Sequence, residues 1–196
     1  MARKESNTPA KSAINAAFWF LSIVILGFLA YSMLSPKGPS TNSNSPEGFL
    51  ESYTEFVRPY LAPSTTVPNT ANVEFFLSYF DADSNQFFEE NVDKLAYLYY
   101  LTLNQNDAEP WPQITSGLRR GYAMKTMIGF GPLRGATVQG KTTEGNDAVL
   151  TLLSTGQTFE VSLEKINDLY KFDQFMGQLP VAAQRTDRLT LPAGAQ

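Results

Sequence analysis

Ala148-Val-Leu-Thr-Leu-Leu-Ser154 and Gln157-Thr-Phe-Glu-Val-Ser-Leu-Glu164 are two strand-forming runs separated by Thr155-Gly156. In the second run apolar residues recur at every second position, which places Phe159, Val161 and Leu163 on one face of a strand. The Thr-Gly pair suits a two-residue hairpin turn. The stretch therefore predicts an antiparallel hairpin with one buried face.

The same period extends outward on both sides of this hairpin. A strand is predicted over 136–142, followed by the turn residues 144–147. On the other side, residues 165–168 form a turn, and a closing strand is predicted over 169–175. The result is a four-stranded antiparallel meander. The Pro-, Ala- and Gln-rich residues 177–196 are predicted to be an unpacked tail.

Helical periodicity dominates the chain before the meander. Ser45-Pro46 is typical of a helix start, with Ser as N-cap and Pro at the first helical position, and Pro59 is expected to end or kink this helix. Further helices are predicted over about 72–80, 85–103 and 113–128. The predicted fold class is α+β, with helices packed on the C-terminal four-stranded antiparallel meander.

A charge-free run from Ser12 to Pro36 precedes this domain. It is long enough to cross a bilayer as a single transmembrane helix, predicted over 13–34. The expected membrane contacts are Trp19, Phe20 and Tyr31; Trp19 and Tyr31 lie near the two ends of the run, where amphipathic rings favour the interface. The predicted organisation is a basic tail at 1–12, the span at 13–34, a flexible Pro-, Ser- and Asn-rich linker at 35–46, an α+β domain at 47–176 and the tail at 177–196.

The flanking charges predict the orientation of the span. Arg3, Lys4 and Lys11 precede it, whereas Lys37 is the nearest base after it. Excess Lys and Arg mark the cytoplasmic side, so the N-terminus is expected in the cytoplasm and the domain in the extracytoplasmic space, which is the periplasm in a bacterium. A cleaved signal peptide ending near Ala30-Tyr-Ser32 is the alternative to this retained signal-anchor.

Composition excludes several function classes. The chain has no Cys and no His, so it contains no disulfide and no Ser–His or Cys–His catalytic machinery. Beyond the charge-free run it carries 12 Lys and Arg against 18 Asp and Glu, so this part of the chain is acidic. Nucleic-acid binding needs concentrated positive charge, so no nucleic-acid partner is expected. No catalytic residue and no cofactor-binding residue can be assigned, and the chain is not predicted to be an enzyme.

The meander ends in Val161-Ser-Leu-Glu-Lys-Ile-Asn-Asp-Leu-Tyr-Lys-Phe-Asp173, in which a polar turn precedes an aromatic residue, Lys, an apolar residue and Asp. This ending, after a helical first half, resembles the extracytoplasmic members of the nuclear transport factor 2-like (cystatin-like cone) superfamily. The resemblance implies a curved sheet with helices in its concave face. It is compatible with small-molecule isomerases, with apolar-ligand binders and with non-catalytic assembly domains. The early strand that the superfamily usually has between its helices is not evident.

One segment partly matches a calcium-binding loop. Asp81, Asp83 and Asn85 occupy the first, third and fifth positions of an EF-hand pattern, which makes them a weak calcium candidate. Gln86 replaces the required Gly and Val92 the required Glu, so no metal site is assigned. The alternative is a helix N-terminus, with Asn85 as the cap.

Two further clusters allow more than one interpretation. Residues 95–103 are apolar or aromatic on nearly every side, which indicates either a buried core helix or a surface in which Tyr97, Tyr99 and Tyr100 bind a partner. Arg119, Arg120, Lys125 and Arg134 form a basic cluster, interpreted as a solvated helix face, an anion site or a contact with acidic lipids.

These features predict a single-pass, membrane-anchored interaction or scaffold domain, an accessory subunit of a larger membrane complex. Its expected partners are the lipid bilayer and other membrane-complex proteins. Binding of a small apolar ligand or lipid in a cone-shaped pocket, or an isomerase-like activity, is the alternative. A closed apolar pocket with one or two convergent polar groups would favour the alternative, whereas a filled cone together with an exposed aromatic patch would favour assembly.

Overall fold

The computed structural model describes residues 44–61, 66–103, 110–131 and 136–192, all within the unit Gly38–Gln196. They form five helices packed on a four-stranded antiparallel sheet of order β1-β2-β3-β4, which confirms the α+β class and the C-terminal meander. The predicted N-terminal basic tail, the predicted span and the linker up to residue 43 lie outside the described residues. Across the described ranges, no helix is both long and apolar enough to cross a membrane.

Four helices precede the sheet: α1 Pro46–Val57, α2 Thr70–Leu77, α3 Ala82–Tyr100 and α4 Ser116–Phe130. Short 3-10 turns follow α1 at Arg58–Tyr60 and precede α4 at Trp111–Gln113. Each helix has an N-cap side chain that accepts a backbone N–H one turn later, and these caps are Ser45, Asn69, Asp81 and Thr115. Such caps satisfy N–H groups that have no partner within the helix.

The start of α3 corrects one detail of the sequence interpretation. Asp81, rather than Asn85, is the N-cap, and its Oδ1 accepts the Ser84 N–H at 2.9 Å. Asn85 lies inside the first turns of the helix. The helix bends at Asn91, where the backbone leaves helical geometry and the side-chain amide donates to the Phe87 carbonyl at 3.0 Å.

The sheet consists of β1 Thr137–Glu144, β2 Asp147–Ser154, β3 Gln157–Ile166 and β4 Leu169–Phe172. All three connections are two-residue turns with left-handed residues. Gly145 has φ +60° in the first, Thr155 and Gly156 are left-handed in the second, and Asn167 and Asp168 in the third. Turns of this handedness match the twist of the strands they join.

One face of the sheet, here called the inner face, is covered by the helices. Its residues on β2, β3 and β4 are almost fully buried and belong to one apolar cluster with residues of α1 to α4: Ala148, Leu150, Leu152, Val161, Leu163 and Phe172. The opposite, outer face is exposed or half-buried. β1 is exposed along nearly its whole length.

The segment after β4 differs from the sequence prediction in two ways. The strand ends at Phe172 rather than residue 175, because Gln174, Phe175, Met176 and Gly177 all have positive φ and form a left-handed turn. The predicted unpacked tail is wrong over Leu179–Asp187, which forms a helix, α5. Ala182 and Thr186 on this helix are fully buried.

Candidate functional site

Aromatic rings fill the space between the first helices and the inner face of the sheet. This aromatic core consists of Phe49, Tyr53, Phe76, Tyr79, Phe80, Phe172 and Phe175, all at most 1% exposed. The ring of Phe172 lies 4.7 Å from that of Tyr53 and 4.8 Å from that of Phe49, centroid to centroid, in edge-to-face geometry. Such pairs add about 0.5–1.5 kcal/mol beyond the area that they bury.

Two tyrosines of the aromatic core have perturbed acidity. Burial raises the pKa of Tyr53, and the nearby Tyr79 raises it further. Burial also raises the pKa of Tyr79, although its hydroxyl lies 3.2 Å from Ser52 Oγ in a hydrogen bond. Both phenols are therefore neutral at physiological pH. They can donate hydrogen bonds, but they are poor general bases.

The predicted partner-binding tyrosines lie near the C-terminal end of α3. Tyr97 is half-buried and its ring lies 5.0 Å from that of Trp111. Tyr99 is half-buried against Tyr122, and the Lys125 ammonium lies 5.4 Å from its ring centroid. Tyr100 is 8% exposed. Tyr97 and Tyr99 are thus partly exposed while packing against the core, and Tyr100 belongs to the core; partner binding by the three stays a prediction.

Asp81, Asp83 and Asn85 lie at the N-terminus of α3 rather than in a metal-binding loop. Both carboxylate oxygens of Asp81 accept backbone N–H groups, Oδ1 from Ser84 at 2.9 Å and Oδ2 from Gln174 at 3.1 Å. Asp81 therefore joins α3 to the left-handed turn. No cluster of three or more His, Cys, Asp or Glu side chains able to hold a metal ion occurs in the part of the chain that the structure describes.

The described members of the basic cluster make contacts within the fold. Arg120 forms ion pairs with Glu89 at 2.6 Å and Glu74 at 2.7 Å, which link α4 to α3 and α2. Arg119 pairs with Asp93 at 3.1 Å and lies 4.7 Å from the Trp111 ring centroid. These two guanidinium groups serve helix packing. Arg134 lies outside the described residues.

Sequence reasoning missed a row of charges across the outer face. Cross-strand register places Glu144 opposite Asp147, Asp147 opposite Glu164 and Glu164 opposite Lys171. We call these four residues the acidic rung. The alternating pattern already assigned each residue to a face, but only the exact register shows that three acids are neighbours.

The predicted membrane contacts Trp19, Phe20 and Tyr31 lie outside the described residues. Comparisons with protein-family models, curated proteins and solved structures find no match to this chain. The geometry of the described residues, together with the charge-free run, therefore carries the functional argument.

Proposed function

We propose that the chain is a membrane-anchored, extracytoplasmic interaction domain that serves as an accessory or scaffold subunit of a membrane protein complex. The observation that carries the proposal is the aromatic core. A carrier or isomerase needs an apolar pocket with a few convergent polar groups. In this protein, aromatic rings at centroid distances of about 5 Å fill the space between α1, α2 and the sheet, where such a pocket would lie.

The charge-free run supports the membrane part of the proposal. A single span with little polar content can tether a domain, but it offers no ion or substrate path by itself. Ala16, Ala17, Gly27 and Ala30 are small enough to let a neighbouring helix approach closely. The bilayer and other membrane-complex proteins are therefore the proposed partners.

The resemblance to the nuclear transport factor 2-like superfamily is part of the proposal. Phe80, between α2 and α3, forms an isolated parallel bridge with Phe172 of β4. The Asp81 N–H donates to the Phe172 carbonyl at 3.0 Å, and the Phe172 N–H donates to the Tyr79 carbonyl at 2.8 Å. This bridge lies between helices, as does the early strand of the superfamily, which supports the resemblance.

Purification from native membranes in mild detergent tests the function. We expect the full chain to co-purify with a defined set of membrane proteins, and replacement of Tyr97 and Tyr99 by Ala to release them with the thermal unfolding temperature lowered by only a few degrees. Tyr60→Ala, another half-buried tyrosine, is the matched control and should retain the complex. A wild-type protein that is monomeric in native membranes and converts or carries a small molecule would contradict the proposal.

A further inference from the structure

The two edges of the sheet differ. The edge of β4 is partly covered by the bridge between Phe80 and Phe172. β1, at the other edge, pairs with β2 on one side, and no strand in the described part of the chain pairs with its other side. Its eight residues are exposed or half-buried. An exposed edge strand presents backbone N–H and C=O groups to which a further strand can add.

The register shows which backbone N–H and C=O groups of β1 point away from β2, at the open edge of the sheet. Glu144 and Asp147 flank the two-residue turn Gly145-Asn146, so they form a hydrogen-bonded pair. Along an antiparallel strand, successive residues point their backbone groups alternately towards and away from the neighbouring strand. The N–H and C=O of Thr143 and Lys141 therefore point away from β2, towards the open edge of the sheet. The bulge between Val138 and Gly140 limits this regular edge to residues 140–144.

The acidic rung determines which side chains an added strand would carry. At the β4 end of the acidic rung, the positive Lys171 lies opposite Glu164. At the β1 end, Glu144 has Asp147 on one side and the open edge of the sheet on the other. Like charges directly opposite one another are unfavourable, and an opposite charge is favourable. A residue placed opposite Glu144 on an added strand would extend a row of three carboxylates. Lys or Arg is therefore favoured there over a neutral or acidic residue.

A second copy of the chain does not meet this requirement. Two β1 strands that pair antiparallel about a two-fold axis place residues of the same sheet face opposite each other. Glu144 lies on the outer face, whereas Lys141 lies on the inner face opposite Leu150 and pairs with Glu47 of α1 at 2.6 Å. No register of this pairing therefore brings Lys141 opposite Glu144.

We propose that β1 binds an extended segment of a partner protein by strand addition along residues 140–144, with Lys or Arg of that segment opposite Glu144. The inference rests on the proposed function, because it names the kind of partner surface that the interaction domain binds. The backbone of Lys141 and Thr143 supplies the hydrogen bonds, and the acidic rung selects the basic residue.

Site-specific cross-linking tests the proposal in native membranes. The full chain, with the photoreactive residue p-benzoylphenylalanine in place of Thr142, is irradiated, and the cross-linked peptide is sequenced by mass spectrometry. We expect one peptide with Lys or Arg within two residues of the cross-link. Thr143→Pro removes an outward N–H and should lower the cross-link yield about tenfold or more, whereas Thr143→Val keeps that N–H and should retain the cross-link.

Two charge reversals distinguish a specific effect of Glu144 from a general effect of the negative charge on the outer face. Glu144→Lys should weaken the cross-link about two- to fivefold, whereas Glu160→Lys, the same change elsewhere on the outer face, should leave it unchanged. A cross-link to β1 of a second copy, a peptide without a basic residue, or a yield unaffected by Thr143→Pro overturns the inference. If the complex co-purifies but no cross-link forms, strand addition is wrong while the proposed function stands; if nothing co-purifies, both fail.

Discussion

Gly121 of α4 lies where residues 66–69 pass across the helix. A Cβ at this position would lie 2.4 Å from the Pro68 carbonyl oxygen and 2.8 Å from Val67 Cγ1. The first of these neighbours is backbone, so the contact cannot be relieved by a change of side-chain rotamer. Gly121 has a low helix propensity, but packing of the loop against α4 requires it.

We expect Gly121→Ala to lower the free energy of unfolding by about 1–3 kcal/mol, because overpacking outweighs the gain in helix propensity. Gly129→Ala in the same helix is the matched control. Its Cβ would meet no atom within 4 Å, so it should raise the free energy by up to about 1 kcal/mol. Urea unfolding of the full chain in detergent, followed by circular dichroism, measures both. Equal effects of the two variants would contradict the close approach to Pro68.

Asp173, directly after β4, carries an unfavourable charge in the folded state. Burial raises the pKa of its carboxyl above the ordinary 3.8, and the carboxylates of Asp81, Asp147 and Asp83 raise it further. The folded protein therefore binds this proton more tightly than the unfolded chain does. The charge costs stability above the raised pKa, and the cost disappears once the pH is below 3.8, where both states are protonated.

We therefore expect Asp173→Asn to raise the unfolding temperature at pH 7 and to have progressively less effect as the pH falls towards the ordinary carboxyl pKa of 3.8. Glu160→Gln removes the same charge from an exposed position on β3 and is the control. Thermal unfolding between pH 3 and pH 8 compares the two variants with the wild type. A pH-independent gain would show that a property other than the charge of Asp173 is responsible.

Among the elements, the left-handed turn Gln174–Gly177 departs furthest from ordinary geometry. Three non-glycine residues there have φ between +45° and +58°, a conformation that costs roughly 1–2 kcal/mol per residue. Burial of Phe175 and Met176, each worth about 1.5–3 kcal/mol, offsets much of this cost. The hydrogen bond from the Gln174 N–H to Asp81 holds the turn against α3.

Gln174→Gly should raise the free energy of unfolding by about 0.5–1 kcal/mol. Glycine adopts positive φ without strain, and this gain exceeds the added entropy of the unfolded chain. The substitution keeps the N–H that binds Asp81. Gln157→Gly in β3, where the backbone is extended, should lower the free energy by a similar amount. Chemical unfolding of both variants measures these changes in the free energy of unfolding. If Gln174→Gly lowers it, contacts of the Gln174 side chain contribute more to stability than relief of backbone strain does.

The elements with strong local signals could be predicted from sequence, and the rest depended on distant contacts. Alternation predicts β2 and β3 nearly to the residue, and Ser45-Pro46 predicts the start of α1. The α5 helix was missed because its buried surface is small: Ala182 and Thr186 give no apolar stripe, and the helix forms where it packs on α3 and on the left-handed turn. That turn has no local signal either, since Phe and Met are unfavourable at positive φ.

At the scale of the whole molecule, composition restricts the chemistry that a site can use but does not identify its residues. The absence of His and Cys by itself excludes thiol and imidazole chemistry. The aromatic residues of the middle segment are more numerous than a short helix pair is expected to bury. The fold nevertheless buries Phe76, Tyr79, Phe80 and Phe88 completely, because rings from α1 and the sheet close around most of them. The acidic rung needs register, which periodicity alone does not supply.

The charges around the charge-free run predict how the whole chain is oriented in the membrane. Because Arg3, Lys4 and Lys11 precede the charge-free run, we expect the N-terminus to stay in the cytoplasm and the domain to be extracytoplasmic. Protease added to intact bacterial spheroplasts that express the chain should remove the domain after Lys37, while a cytoplasmic marker protein stays intact. Replacing the three bases by Glu should protect part of the domain, whereas Glu5→Gln, which adds no positive residue, should not. A soluble extracytoplasmic domain with a new N-terminus near Met33 would instead show that the run is a cleaved signal peptide.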